Sequence, residues 1–355
     1  MEKNQFNKEV KCIVWDLDNT IWEGTLLESE TVQLKPDMKD IIIELDSRGI
    51  LHSIASKNNY EDAISKLREY EIDQYFLYPE IHWNSKSESI KNIQKNLNIG
   101  MDAIVFIDDQ PFERDDVACT CPEVETIDAS NYKNILSLER FNPKFITKDS
   151  KRRRLMYFEE MERNLKEEEY KGPKEGFLAT LNMEFIISEA QEEDLKRAEE
   201  LTVRTNQLNA TGKTYSYEEL YNFMNSDDYI LLVCELNDKY GCYGKIGLAL
   251  IEIKETHLYL KLLLMSCRVL SRSVGSVLLG YIMNLAKKEG KKLIADFKQT
   301  ERNRLMYATY RFADFKEISS DGNGNILFEH DLYNIQKYPD YIKLELPQFN
   351  TVQQN

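Results

Sequence analysis

Asp16 and Asp18 stand one residue apart, directly after the apolar run Cys12–Trp15, and Thr20 follows two positions on. Further along, Asp108 and Asp109 close a second apolar run, residues 103–107. Carboxylates crowded at a strand end repel one another unless a cation joins them. A hard divalent ion with oxygen ligands is the natural partner, and magnesium suits phosphate chemistry best. A carboxylate can also attack phosphorus to form an aspartyl-phosphate, while a second carboxylate serves as general acid and base. The transferring phosphoryl group then needs a hydroxyl and a cation around it. Ser56, in ASKNN, and Lys86, in NSKSE, are of the right types and follow the right kinds of elements. Taken singly, Asp16 reads as a strand-end cap and Asp108–Asp109 as a turn. Four such elements in this order favour a phosphoryl-transfer site.

A second group lies in the other half of the chain. Cys267 follows the long apolar run 257–265 and precedes a helical pattern, with Arg268 and Arg272 close in sequence. The thiolate is the nucleophilic form of cysteine, and positive neighbours or a helix N-terminus favour it. Such a residue can split an acyl transfer into two steps through a thioester. Read alone, it is more simply a small buried residue at a strand end. Arg204, Asn206, Gln207 and Asn209, in RTNQLN, form a dense polar cluster after a helix. They suit the hydroxyls of a small substrate or the amides of a phosphopantetheine arm, and equally a helix cap with a solvated loop. Of the four histidines, His257 and His330 are the candidates for a base beside Cys267. The basic run 151–154 opposes the dipole of the helix it opens, which suits docking of an acidic partner or, more plainly, a solvated helix start.

The elements that must position these groups are legible as a rhythm. Apolar strands at 11–15, 50–55 and 103–107 alternate with helical patterns at 36–48, 60–70 and 85–97, with Ser85 or Ser87 near the cap of the last. Strand–helix alternation predicts a doubly wound parallel sheet, whose ligands bind outside the carboxyl ends of the strands. Asp16, Asp18, Ser56, Asp108 and Asp109 all fall there. A charged helix over 150–171 ends at Gly172 and Pro173. The expected division is therefore residues 1–149, a linking helix 150–172, and residues 173–355. In the last part, strands at 183–189, 229–235, 245–253, 257–265 and 292–298 mix with helices at 191–201, 274–289 and 301–311. That pattern predicts an α+β domain.

Composition bounds the function classes. At 355 residues, 42% hydrophobic and 30% charged, the chain suits two globular domains. A net charge of −15 argues against a general nucleic-acid binder. It leaves room for an anionic substrate in a local cationic pocket. No apolar run approaches a membrane span. The opening residues MEKNQFNKEVK carry no leader pattern. The six scattered cysteines then suit reduced thiols in a cytoplasmic setting.

DLDNT, Ser56, Lys86 and the IDD at 107–109 resemble the four motifs of the haloacid dehalogenase (HAD) superfamily. The resemblance implies Asp16 as nucleophile, Asp18 as acid/base, and Thr20, Ser56 and Lys86 around the phosphoryl group. It implies Mg2+ held by Asp16, Asp18 (through its carbonyl) and Asp108 or Asp109. WDLDNTIWEG, ASKNN, WNSKSESI, FIDDQPFERDDV, RTNQLN, SCRVLSRSVG and RNRLMYATYRFADF together resemble the FkbH-like proteins, subfamily IIIC of that superfamily. This closer resemblance covers nearly the whole chain. It implies a HAD-like doubly wound parallel sheet domain followed by a GNAT-like α+β domain. It also implies an enzyme that takes a glyceryl unit from 1,3-bisphosphoglycerate and removes its phosphates. Cys267 would carry the unit as a thioester and load it on the phosphopantetheine of an acyl carrier protein, for polyketide-type pathways. Arg204, Asn206, Gln207, Asn209, Arg268, Arg272 and Asn303 would contact substrate. One departure stands out. The phosphate-gripping loop of GNAT acetyltransferases has the form R/Q-x-x-G-x-G/A, and here the stretch from Arg272 ends in Val277. Coenzyme A binding is disfavoured accordingly. The alternatives are a plain magnesium-dependent phosphatase whose second domain selects substrate, and a coenzyme A-dependent acyltransferase with a regulatory HAD module.

Overall fold

The computed structural model describes residues 8–28 and 31–347. The opening MEKNQFN of the leader reading lies outside them. The chain divides into two compact units, Met1–Met161 and Glu162–Asn355.

The first unit is built on β1 (Cys12–Trp15), whose four residues CIVW are all buried. A strand covered on both faces needs apolar side chains in both directions. Ile13 and Trp15 enter one core cluster and Cys12 and Val14 the other. A short hairpin of β2 (Trp22–Glu23) and β3 (Gln33–Leu34) follows. Then come α1 (Met38–Ser47), β4 (Leu51–Ser56), α2 (Tyr60–Glu69), β5 (Glu80–Ile81) and α3 (Lys86–Leu97). The unit continues with β6 (Ile104–Asp108), α4 (Pro111–Thr120) and β7 (Glu125–Asp128). The strands run in the order β5-β4-β1-β6-β7. Every pairing among them is parallel. Ser85 is the N-cap of α3, its hydroxyl accepting from the Glu88 amide. Trp15 pairs with Ile54 on one side and Ile107 on the other. Asp16, Ser56 and Asp108 therefore leave the sheet at one end.

The single helix expected over 150–171 is two. α5 (Lys148–Lys151) starts from a Thr147–Ser150 capping box. Arg152 then breaks the helical run, and α6 (Arg153–Glu169) follows. The boundary between the units falls within α6. Half of the basic run is spent at home. Arg153 donates to the Gly49 carbonyl at 2.6 Å, and Arg154 to Asp46 at 2.9 Å and the Gln74 carbonyl at 2.7 Å.

The second unit opens with α7 (Lys174–Thr180), β8 (Met183–Glu189), α8 (Leu195–Arg204) and α9 (Tyr217–Met224). Then follow β9 (Tyr229–Asp238), β10 (Gly241–Ile253), β11 (His257–Met265) and the buried α10 (Val274–Lys288). Next are β12 (Lys292–Lys298), α11 (Arg304–Phe312), β13 (Lys316–Ser320), β14 (Asn325–His330) and β15 (Ile342–Glu345). Eight strands lie in the order β13-β14-β12-β11-β10-β9-β8-β15. Most pairs are antiparallel, while β11–β12 and β15–β8 are parallel. The chain thus has the expected class, a parallel α/β unit followed by an α+β unit.

One irregularity in this sheet matters. β11 and β12 pair only from His257–Lys292 to Leu260–Ala295, and then part. The segment 208–210 fills the gap. Met265 donates to the Leu208 carbonyl and Ala210 to the Leu263 carbonyl, while Lys298 donates to the Ala210 carbonyl. Backbone groups freed where two strands diverge must find partners, and here a third stretch supplies them.

Candidate functional site

At the carboxyl end of the parallel sheet, Asp16 leaves β1 and Asp108 ends β6, with 3% and 0% of their surfaces exposed. Lys86, the first residue of α3, reaches between them. Its ammonium donates to Asp16 Oδ1 at 2.7 Å and Asp108 Oδ2 at 2.5 Å. Asp18 turns away from this pair. Its Oδ1 accepts from Trp22 Nε1 at 2.8 Å and the Leu26 amide at 3.1 Å. Its Oδ2 accepts from Asn58 Nδ2 at 3.1 Å, and the same amide group reaches Ser56 Oγ at 3.3 Å. Ser56 lies near Asp16 and favours its charged form. The structure thus brings Asp16, Asp18, Ser56, Lys86, Asp108 and Asp109 to one place.

Thr20 departs from its expected part. It is fully buried, and its hydroxyl accepts from the Asp109 amide at 3.1 Å. That bond fixes the loop that carries Asp109.

The electrostatics follow from burial. Desolvation pushes Asp16 up to about 7; Lys86 pulls against it and Asp108 adds to it. Burial works to lower Lys86, but its two carboxylate partners outweigh it, and the ammonium is held above the usual lysine range. Burial, then Asp108, raises Asp109.

The donor set fits magnesium. One carboxylate oxygen from each of Asp16, Asp108 and Asp109 lies within 4.8 Å of the others. Asp109 Oδ1 is buried without a hydrogen-bond partner. Hard oxygen donors with an unsatisfied buried acceptor among them are what a hard dication needs. The Asp18 carboxylate is not in this trio, being occupied by Trp22, Leu26 and Asn58, which leaves its carbonyl as the group expected to face an ion.

Two neighbours escaped the sequence reading. Asn58 sat in the quoted ASKNN, but nothing in a lone asparagine signals that it joins Asp18 to Ser56. Lys35, just past β3, donates to the Asn19 carbonyl, and burial lowers its basicity against the pull of Asp109. Only the fold of the β2–β3 hairpin brings it there.

The second constellation is less concentrated. Cys267 is exposed at the end of β11. Beside this strand end lies a largely apolar groove of about 110 Å³. Leu263 and Met265 of β11, Val269 and Leu270, Ser273 at the start of α10, and Met306 of α11 help line it. Arg268 is partly exposed, and Asn206 and Gln207 are exposed. Three expected substrate contacts are structural instead. Arg272 is fully buried and meets Glu167 at 3.3 Å. Asn209 is fully buried, its Oδ1 accepting from the Thr211 and Gly212 amides at 3.1 and 2.9 Å. Asn303 is fully buried too. Its Nδ2 donates to the carbonyls of Asn209 at 3.0 Å and Lys298 at 2.8 Å, and its Oδ1 accepts from the Thr300 amide at 2.8 Å. These two asparagines hold the 208–210 segment in the split sheet. Arg204 lies 3.5 Å from the buried Glu200.

Neither candidate base reaches Cys267. His257 begins β11, eight residues from Met265, about 26 Å along an extended strand. His330 pairs with Leu293, next to Lys292, the partner of His257, at that same far end.

Residues 6–129 match the family model for haloacid dehalogenase-like hydrolases, so the first unit carries a HAD-like hydrolase domain. Human magnesium-dependent phosphatase 1 is 25% identical over 119 residues, 28% of this chain and 68% of the phosphatase. The N-terminal part of a Bacteroides fragilis protein, a phosphatase domain complexed with Mg, is 30% identical with a TM-score of 0.35. That match covers 38% of this chain and 40% of the other. An N-acetyltransferase from Staphylococcus aureus Mu50 is 15% identical with a TM-score of 0.34, covering 42% of this chain and 98% of the other. Among the described residues no helix is long and apolar enough to cross a membrane.

Proposed function

We propose that this chain is a two-domain enzyme that removes phosphate in its HAD-like domain and transfers an acyl unit in its acetyltransferase-like domain. The fuller reading is that it takes a glyceryl unit from 1,3-bisphosphoglycerate and loads it on the phosphopantetheine thiol of an acyl carrier protein. The single observation that carries the phosphatase half is the buried group at the end of β1 and β6. There Lys86 bridges Asp16 and Asp108, and Asp109 keeps a buried oxygen without a partner.

Asp16, Asp108 and Asp109 would hold magnesium, which when bound offsets the charge of the phosphate and of the crowded carboxylates. With Asp18 protonated as the acid, three carboxylates and one ammonium leave the site at −2, so a dication brings it to neutral. Asp16 attacks phosphorus with a carboxylate oxygen. Asp18, free of Lys86, gives a proton to the leaving oxygen. Lys86 and Ser56 steady the charge on the moving phosphoryl group. In the second domain, the Cys267 sulfur attacks the acyl carbon, the bond from that carbon to the phosphate oxygen breaks, inorganic phosphate leaves with the thiol proton, and the thioester then passes by exchange to the carrier thiol, returning Cys267 as a thiol. The exposure of Cys267 beside an apolar groove supports this half.

A plainer second reading is favoured by the histidines. With His257 and His330 at the far end of the sheet, neither candidate histidine serves Cys267 as a base, as a phosphatase with a substrate-selecting second domain would allow.

Intact-protein mass spectrometry distinguishes the two. The enzyme is mixed with magnesium, freshly generated 1,3-bisphosphoglycerate and phosphopantetheinylated carrier protein. A glyceryl adduct on the enzyme, lost in Cys267→Ala and passed to the carrier, is expected. An adduct that keeps its phosphate in Asp16→Asn assigns phosphate removal to the first domain. Phosphate release with no adduct on either protein leaves the phosphatase reading standing and makes Cys267 a surface residue without a catalytic part.

A further inference from the structure

We propose that Asn58 is a catalytic residue of the second half of phosphate removal: its side-chain carbonyl and Asp18 together hold the water that hydrolyses phosphorylated Asp16. The inference rests on the phosphoryl-transfer reading of the first domain and names a residue which that reading does not use.

Three observations carry it. Asn58 is 2% exposed, and its Nδ2 donates to Asp18 Oδ2 at 3.1 Å and Ser56 Oγ at 3.3 Å. The carboxylate fixes the orientation of the amide, because a flipped amide would set its oxygen against Asp18. In that orientation Asn58 Oδ1 is buried and has no hydrogen-bond partner. A buried acceptor left empty costs stability, so its retention points to a donor that the chain does not itself supply.

The neighbour that Asn58 touches says which donor. Asp18 Oδ1 is saturated by Trp22 and Leu26. Oδ2 is therefore the oxygen left to move protons, and Asn58 stands against that oxygen. A water lying between them gives one hydrogen to Asp18 Oδ2 and the other to Asn58 Oδ1, leaving a lone pair for phosphorus. In the step itself the water oxygen bonds to phosphorus and the bond from phosphorus to the Asp16 oxygen breaks. That electron pair returns to the Asp16 carboxylate. One water proton passes to Asp18; the other leaves on the released phosphate. Asn58 follows β4, whereas Asp108 and Asp109 come from β6 on the other side of β1. Its carbonyl belongs with Asp18 and not with the metal-binding trio.

The test separates the two half-reactions. Wild type, Asn58→Ala and Asn58→Ser are mixed with p-nitrophenyl phosphate and magnesium in a rapid-quench instrument. Nitrophenolate, inorganic phosphate and phosphorylated enzyme are followed together. In Asn58→Ala, enzyme phosphorylation should stay within about threefold of wild type while phosphate release falls about ten- to a hundredfold. Nitrophenolate then appears as a burst and phosphoenzyme accumulates. Asn58→Ser, which keeps a small acceptor, should lie between the two and covers the case in which the alanine variant does not fold. Equal loss in both half-reactions overturns the assignment. So does a raised KM without phosphoenzyme, the signature of a contact to the substrate. So does wild-type behaviour, which would make the missing partner a structural water only. A wild type whose turnover does not depend on Asp16 overturns the underlying phosphoryl-transfer reading as well, and is recognised separately with Asp16→Asn.

Discussion

Replacing Lys86 by methionine keeps the side chain's length and removes its charge. The ammonium lies 2.7 Å from Asp16 Oδ1 and 2.5 Å from Asp108 Oδ2, with all three groups buried. Removing one member of a buried ion network costs about 3–5 kcal/mol when the remaining charges have no outlet. Here they have one. Burial already pushes Asp16 up to about 7, with Lys86 the largest influence pulling it down. Without Lys86 the carboxyl rises further and takes a proton. An unfolded aspartate has released its proton near pH 4. The folded variant therefore binds the extra proton from there to beyond 7, and its stability falls as pH rises through that window. Urea denaturation at pH 6 and pH 8.5, first with chelator and then with magnesium, measures this. The variant should lose about 2 kcal/mol or more, with the larger loss at the higher pH. Magnesium should restore part of the loss by supplying the missing positive charge. Phosphatase turnover should drop, and its acid limb should move to higher pH, because a protonated Asp16 cannot attack. A metal-free variant as stable as wild type at both pH values, with the acid limb in place, refutes the reasoning.

Two further outcomes follow from buried groups outside the site. The neutral ring of His52 is fully used: Trp15 Nε1 donates to Nδ1 at 3.0 Å, and Nε2 donates to the Ile42 carbonyl at 3.1 Å. Burial pushes its pKa down to about 3. Its contribution is complete above the unfolded value near 6.5 and is lost as pH falls toward 3, at about 1.4 kcal/mol per pH unit. His52→Asn should flatten the stability profile between pH 4.5 and 6.5, and an unchanged slope would assign the acid sensitivity to other groups. Asn303→Ala strips partners from the buried carbonyl of Asn209 and from the carbonyl of Lys298 and should cost about 2–4 kcal/mol. Calorimetry should show a lowered transition, and one within a degree of wild type would contradict the clamp.

The parallel sheet was legible because CIVW, the run at 50–55 and the run at 103–107 are buried on both faces, so apolar residues dominate them, with His52 and Ser53 the interruptions. The site was legible for the same reason, since Asp16 and Asp108 interrupt those runs at their ends. α4 and β7 were not read. PFERDDVACT buries only Glu113 and Val117, and ETID has no fully buried residue, so neither carries a strong period. β13 to β15 were missed likewise, β13 being exposed throughout. In the second unit, polar residue types misled. Asn209 and Asn303 look like ligand contacts in sequence, yet their amides are the right shape to satisfy backbone where strands part. Asparagine serves ligands and backbone with the same groups, and what tells the two apart is whether backbone partners already fill both ends of the amide, as they do for Asn209 and Asn303. The distance from His257 and His330 to Cys267 was invisible for a different reason, since it depends on which end of a strand each occupies.

The split between β11 and β12 has a consequence for how the second unit assembles. Its filling segment draws one side from β11, about 55 residues on, and the other from Lys298 and Asn303, with Asn209 and Asn303 lying 94 apart in sequence. Two long chain closures must therefore both be made before any of these hydrogen bonds is protected, and neither half gains much alone. The amides of Ala210, Met265 and Lys298 should behave as one cooperative piece, exchanging with solvent together although they sit in three separate stretches of the chain. The groove beside Cys267 is walled by that same piece through Leu208, Leu263 and Met265. Its shape thus comes into being late in folding, all at once.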